Sequence, residues 1–309
     1  MAEPLLIATA DVHLCENAPS FRSSEPDWFE AQRRQLRWLS GLCDEYGCPL
    51  VVAGDIFDKA VGTTRLVNFA IDEFPLCYAV AGNHDLPYHD FQKMKFSSYG
   101  TLTRVGKVRD IDGVVKFESK GKTVALHGFP FGSQFKPCEK YADIDIAVVH
   151  EFVWTGEINS VVTSIFSSAH ISFRRRDLPG YDYYFFGDNH KPFIDGNVVN
   201  CGSFYRRSRG DVDYIPSVVV LYDDGELKRV NVPVEKDVIT LPSVRIKEVA
   251  GKVDTEFSDL FESMENAEAL VCDADEILKD YLIRNKVDTD VKRAITDITE
   301  SGDSKICPK

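Results

Sequence analysis

PLLIATADVH, residues 4–13, is an apolar run that stops at an acid and, two residues on, an imidazole. The run reads as a short buried strand, with Asp11 and His13 at its end. Alone, an acid after a strand is a turn or a helix cap. The arrangement recurs along the chain. VVAG (51–54) is followed by Asp55, and AVAG (79–82) by Asn83, His84 and Asp85. IAVV (146–149) is followed by His150, and YYFFG (183–187) by Asp188, Asn189 and His190. In α/β sheets the carboxyl ends of parallel strands gather at one edge, and sites are built there. Five runs ending in oxygen or imidazole groups therefore predict a sheet edge that collects a metal centre.

The segments between these runs support a parallel sheet. WFEAQRRQLRWLSGLCDEYG (28–47) places Trp28, Leu36, Leu39, Leu42, Cys43 and Tyr46 near a 3.6-residue period and ends at Gly47, which predicts an amphipathic helix. TTRLVNFAIDEF (63–74) predicts a second helix, capped by Thr63 or Thr64. Strand, helix, strand, helix, strand is the order of a mostly parallel sheet with covering helices. The chain then turns strand-rich, through VVKFES, KTVALHG, DIAVVH, YDYYFFGD, NVVNCG, SVVVLY and ELKRVNV. DDG at 223–225 predicts a hairpin turn between the last two. After about residue 235 the character changes. From Asp254 the chain is acidic, with Phe257, Leu260, Phe261, Met264 and Leu270 at helical spacing. We read 1–235 as one domain and 236–309 as a mainly helical appendage.

Composition narrows the class. No segment approaches the ~20 apolar residues of a membrane span, and LLIATA runs straight into Asp11, unlike a signal peptide. A cytoplasmic protein, of a bacterium or a phage-infected host, is the expectation. The eight cysteines form no CxxC pair and read as small buried hydrophobes. The net charge of −13 opposes a general nucleic-acid coat, but residues 235–309 carry 18 acidic against 11 basic residues and so hold about half of the excess. Arg174-Arg175-Arg176 and Arg206, Arg207 and Arg209 are local basic clusters, and phosphate binding follows the local field.

D-x-H, then G-D-x-F-D, then G-N-H-D, then a lone His after a strand, then G-x-x-H resembles, in order and spacing, the calcineurin-like metallophosphoesterases over roughly residues 4–232. The resemblance implies a four-layered α/β sandwich, two mixed β-sheets flanked by helices, with a two-metal site. By position, Asp11, His13, Asp55 and His190 would hold one metal, with Asp55 bridging. Asn83 and His150 would hold the second. The family usually has Gly-His-x-His where this chain has Gly187-Asp188-Asn189-His190. Asp188 is a hard oxygen ligand suited to Mn²⁺, Mg²⁺ or Fe²⁺; alternatively the shorter side chain falls short and leaves the second metal weak or held through water, or it serves a turn. His84 would protonate the leaving group, and Asp85 would orient the His84 imidazole.

GDIFDKA and GNHD lack the Arg-Gly and Glu of the family's protein phosphatases. ATADVHL, VVAGDIFDK, AVAGNHD, DYYFFGDNH and NCGSFYRRS are similar to the SbcD-type nucleases of double-strand-break repair and phage recombination. That likeness implies a manganese-dependent DNA exo/endonuclease. It implies a coiled-coil ATPase partner of the SMC-like class, docking on the C-terminal helices, and a possible homodimer. Arg206, Arg207, Arg174 and Arg175 would contact DNA phosphates. Two other readings stay open: a phosphodiesterase or phosphatase for a small nucleotide, and a metal-weak scaffold that binds DNA or the partner. Phe21, Trp28 and Tyr88 can stack on bases or pack in the core, and the core is the preferred reading.

Overall fold

The computed structural model describes residues 2–154, 173–174, 178–208, 211 and 214–240. The helical appendage expected after Asp254 lies outside these residues, as do Arg175, Arg176 and Arg209. The chain divides into two compact units, residues 1–242 and 243–309, and the described part of the first ends at Thr240. There Thr240 N–H donates to the Phe21 carbonyl and Val238 N–H to Glu25 Oε1.

Two six-stranded mixed sheets, flanked by helices, make up the fold. The first contains β1 (Pro4–Thr9), β2 (Leu50–Ala53), β3 (Cys77–Val80), β4 (Val108–Asp110), β13 (Ser217–Tyr222) and β14 (Leu227–Asn231), in the order β14-β13-β1-β2-β3-β4. β1 to β4 are parallel; β13 and β14 are antiparallel additions joined by the predicted DDG turn. The second sheet contains β5 (Val114–Ser119), β6 (Lys122–Phe129), β7 (Ile144–His150), β10 (Tyr183–Gly187), β11 (Phe193–Asp195) and β12 (Val198–Asn200), in the order β11-β12-β10-β7-β6-β5. β8 (Val153–Trp154) and β9 (Phe173–Arg174) pair separately.

Local chemistry sets the helix bounds. α1 (Trp28–Tyr46) starts where the Asp27 side chain accepts from Glu30 N–H and stops at Gly47, whose φ of 56° suits a residue without Cβ. α2 (Thr64–Glu73) is capped by Thr63, whose hydroxyl accepts from Leu66 N–H at 3.1 Å. α3 (Ser98–Arg104) and β4 were not read from sequence. α3 spans only two turns and contains Gly100, and β4 has three residues, so neither offers a full period of apolar spacing.

The two sheets face each other. Leu6, Ala8, Val51, Ala53, Val80, Val219 and Leu221 of the first share one buried cluster with Val124, Leu126, Ile146, Val148, Phe185 and Val199 of the second. Strands buried on both faces read as continuous apolar runs, which is why alternation was absent from β1, β2 and β7. The outer face of the first sheet buries Leu36, Leu39, Leu66 and Phe69 of α1 and α2. The outer face of the second carries Phe129, Tyr184 and Phe186 with Phe135 and Tyr181 against them. Among the described residues no helix is long and apolar enough to cross a membrane. The described cysteines are free; Cys48, Cys77 and Cys201 are buried and Cys15, Cys43 and Cys138 half-buried.

Leu126 is fully buried between the sheets. Leu126→Ala is expected to cost about 2–5 kcal/mol of unfolding free energy and Thr63→Ala about 1 kcal/mol. Urea denaturation of the two variants checks the ranking. A Leu126 loss no larger than the cap loss would mean that the inner layer does not join the sheets.

Candidate metal centre

Strand register gathers the five motif ends in two sets, two in the second sheet and three in the first. Gly187 of β10 lies beside His150 of β7, and β1, β2 and β3 run in parallel. Past β1 and β2 the chains stay paired: Asp11 N–H donates to the Gly54 carbonyl at 3.1 Å and His13 N–H to the Asp55 carbonyl at 2.9 Å. The sheets then meet directly, because Asp188 N–H donates to Asp11 Oδ1 at 3.1 Å.

The glycines before the ligands have a steric cause. A Cβ on Gly54 would lie 2.1 Å from His150 Nδ1, and one on Gly82 would lie 2.0 Å from Asp55 Oδ1. A Cβ on Gly187 would lie 2.1 Å from the Ala53 carbonyl oxygen. Each glycine clears space for a site side chain or strand delivered by another segment. The backbone of the ligands is also unusual. Asp11, His13, Asp55 and Asp188 have φ of 49°, 48°, 52° and 78°, the left-handed region that costs side-chain-bearing residues about 1–3 kcal/mol each. Such turns aim side chains back across the strand ends, and the surrounding hydrogen bonds hold them there.

His13, Asp11 and His190 form one group of donor atoms. His13 Nε2 lies 3.1 Å from His190 Nε2 and 3.6 Å from Asp55 Oδ2. Burial, then the Arg207 charge, lowers both imidazole pKa values, that of His190 to about 3. Both rings are therefore neutral and present lone pairs. Asp11, Asp55 and His150 form the adjoining group. His150 Nδ1 donates to the Ala53 carbonyl at 2.7 Å, which turns Nε2 into the site. There Nε2 lies 3.0 Å from Asn83 Oδ1, 3.4 Å from Asp55 Oδ2 and 4.0 Å from Asp188 Oδ1.

These residues fit a pair of divalent cations. Ligand bonds of about 2.1 Å put neighbouring donors of an octahedron roughly 3.0 Å apart and opposite donors roughly 4.2 Å apart, and the separations above lie in that interval. Asp11 Oδ2 is buried with no hydrogen-bond partner, although such atoms are normally satisfied. Burial drives the Asp11 carboxyl up, and Asp55 and Asp188 push it further. Burial, with Asp55 and Glu151, raises Asp188 to about 6 despite the relief from His150. Burial would lower His150, but Asp55, Asp11 and Asp188 hold it well above its usual value. Three crowded carboxylates around a buried imidazole mark a site short of positive charge. Asp11, His13, His190 and Asp55 can hold one cation; Asp55, Asn83, His150 and Asp188 can hold the other. Asp188 stands on the His150 side of the site, its Oδ1 4.0 Å from His150 Nε2. Asn189 faces away, its amide donating to the Val153 carbonyl and its Oδ1 accepting from Lys191 N–H.

The geometry corrects one role. Asp85 does not hold the His84 imidazole. Its carboxylate is fully buried and accepts from the N–H groups of Ile56, Phe57 and Gly82, tying the Asp55 and Asn83 loops together. His84 Nδ1 instead donates to the Asp58 carbonyl at 2.7 Å, and its own N–H donates to Asp55 Oδ1 at 2.9 Å. Asp58 was not singled out from sequence as a site residue, although it closes the G-D-x-F-D motif. Its carboxylate lies 3.8 Å from His13 Nδ1 and pairs with Arg207.

The basic residues separate. Arg207 stands at the rim, paired to Asp58. Arg206 turns its Nε to the Tyr214 carbonyl at 2.6 Å, and that hydrogen bond ties the group to its own loop. Arg174 lies on β9, and Arg175 lies outside the described residues. A further cluster, His127, Cys138 and Asp145, sits apart on the second sheet. There Asp145 accepts from His127 and from the N–H groups of Tyr141 and Ala142, so the cluster reads as a structural bond network.

Among solved structures, a putative 5′-nucleotidase from Staphylococcus aureus is 15% identical, with a TM-score of 0.46 over 84% of this chain and 58% of its own. An archaeal phosphodiesterase is 12% identical, with a TM-score of 0.35 over 73% and 98% of the two chains. A calcineurin-like phosphoesterase from Bacillus subtilis is 14% identical, with a TM-score of 0.37 over 75% and 89%. The chain thus spans under two thirds of the staphylococcal structure's length. No curated protein matches the sequence. The model of the calcineurin-like phosphoesterase family matches residues 5–192, well over half of the chain and every motif that builds the site, and the chain belongs to that family.

Proposed function

We propose that this metal-dependent phosphoesterase hydrolyses phosphodiester bonds of DNA, with two divalent cations, Mn²⁺ foremost, and acts as the exo/endonuclease subunit of a recombination or repair complex. The supporting observation is the placement of NCGSFYRRS, the segment that resembles the SbcD-type nucleases. Ser203 bridges Ala10, Phe204 N–H donates to the Asp11 carbonyl, and Arg207 pairs with Asp58. That segment is one wall of the centre, and it brings a guanidinium to the rim where a phosphate would approach.

Bound cations would neutralise the non-bridging phosphate oxygens and acidify a water. The chain supplies the proton for the leaving oxygen. With Nδ1–H held by the Asp58 carbonyl, Nε2 is the nitrogen of His84 that exchanges its proton. The His84 ring stands edge-on to the His13 ring, centroids 4.8 Å apart, so it borders the centre. The partner proposal rests on the resemblance: an SMC-like coiled-coil ATPase would dock on 254–309. Co-elution that survives deletion of that segment would place the docking surface elsewhere.

The test is hydrolysis of a labelled duplex and its single strand in Mn²⁺ and in Mg²⁺, beside a chromogenic phosphodiester and free nucleotides. DNA cleavage in Mn²⁺ is expected to fall about 10²–10⁴-fold in His84→Ala while bound metal is retained. Nucleotide cleavage with both DNAs left intact would overturn the nuclease reading. Asp188→Ala is expected to lower Mn²⁺ content from about two ions per chain toward one, measured by equilibrium dialysis. Asp188→His should keep both and move preference toward nitrogen-seeking Zn²⁺. An unchanged Mn²⁺ content in Asp188→Ala would remove Asp188 from the ligand set.

A further inference from the structure

The loop that leaves the His84 motif carries side chains that neither the fold nor the metal centre uses. LPYHDFQKMKF, 86–96, begins at buried Leu86 and then turns outward. Tyr88 is 86% exposed, Phe96 68% and Phe91 42%. Tyr88 and His89 have φ of 58° and 55°, two successive residues with side chains in the left-handed region. A backbone strained so as to hold a tyrosine in water gains no burial from doing so, and such strain gathers at functional sites. The preferred core reading of Tyr88 is therefore overturned.

Lysines accompany these rings. Lys93 Nζ lies 4.5 Å from the Tyr88 ring centroid and Lys95 Nζ 5.0 Å from that of Phe96. Lys93 also meets Asp90 at 3.7 Å, which tempers its charge. The loop after Asp58 joins the same surface. Ser98 N–H donates to the Ala60 carbonyl at 2.7 Å, and Gly62 N–H to Ser98 Oγ at 2.8 Å. Exposed Lys59 and Val61, which is 67% exposed, thus belong to a loop tied to the end of 86–96. Both loops issue from the strand ends that bear Asp55 and Asn83, so the surface is continuous with the centre. In a chain of net charge −13, a face that offers Lys59, Lys93 and Lys95 between open rings is matched to a polyanion with flat apolar faces.

We infer that Tyr88, with Lys93 and Lys95, forms a platform on which an unpaired nucleotide of single-stranded DNA stacks as the strand enters the metal centre. This rests on the DNA reading above and specifies its substrate. Base stacking on an aromatic side chain needs an open π-face and tolerates any base, while lysines beside it neutralise the phosphates. Bases in a duplex already stack on one another, so the platform selects frayed or single-stranded ends.

The test is fluorescence anisotropy with a labelled oligothymidylate and an abasic oligonucleotide of equal length. The full chain is used with Mn²⁺ in the His84→Ala background, so that the probe stays intact. Tyr88→Ala should weaken oligothymidylate binding about tenfold and leave abasic binding unchanged, and Tyr88→Phe should restore it. Lys93→Ala with Lys95→Ala should reduce the salt slope by about 1.4 in log–log terms. Unchanged melting temperatures confirm that the variants fold. Equal loss on both probes, no loss in Tyr88→Ala, or no oligonucleotide binding by the starting protein would overturn the platform. Duplex cleavage is scored separately. A chain that cuts DNA without a Tyr88 effect keeps the nuclease reading and loses the platform; one that binds through Tyr88 and cuts no DNA does the reverse.

Discussion

The carboxylate of Asp55 is the constraint on which the other site elements converge. It is buried at the end of β2, in a left-handed turn. One oxygen accepts from the His84 backbone, and the other faces both His13 and His150. Its carbonyl accepts from His13 N–H. Burial drives its pKa up, but the facing His150, with the His84 contacts, outweighs that and holds it below the usual value. Asp55 therefore stays charged in a dry place, and three loops from two sheets are arranged around that charge. A buried charge of this kind is costly unless paired. Here His150 and the His84 N–H offset the charge, and the arrangement suits cations better still.

Asp55 also explains why the motifs are written with glycine. Gly82 exists to clear Asp55 Oδ1, and Gly54 to clear the His150 ring. Asp85, next to the proposed acid, spends its carboxylate on the backbone of the Asp55 loop. The G-D and G-N-H-D words are thus one packing problem solved twice. At Gly82 the Asp55 carboxylate, and at Gly54 the His150 imidazole, fills the place a Cβ would take.

That is also why so much of the architecture was legible in the sequence. Apolar runs buried on both faces cannot alternate, and polar residues at their ends have no reason to be there except one another. The ends of β1, β2, β3, β7 and β10 could be read for that reason. What could not be read depends on long-range geometry or on length. α3 and β4 are too short to show a period. Asp58 entered only as the last letter of G-D-x-F-D, because only the fold places its carbonyl on His84 and its carboxylate on Arg207. Arg206 and Arg207 are adjacent in sequence, yet one is tied to its own loop and the other stands at the rim, and no spacing rule separates them.

Tyr88 shows the limit of composition from the other side. An aromatic residue is a core residue by default, since burying it gains about 1.5–3 kcal/mol. Nothing in LPYHDF marks an exception. The exception arises because Leu86 is buried in the core and Asp85 is anchored by three N–H groups. The chain leaves that anchor by turning outward, and Tyr88 is the next large side chain it carries into water. The residues that build the metal centre thereby fix the direction of the loop beyond it. A substitution that loosened Asp85 would move the proposed acid and the exposed ring together.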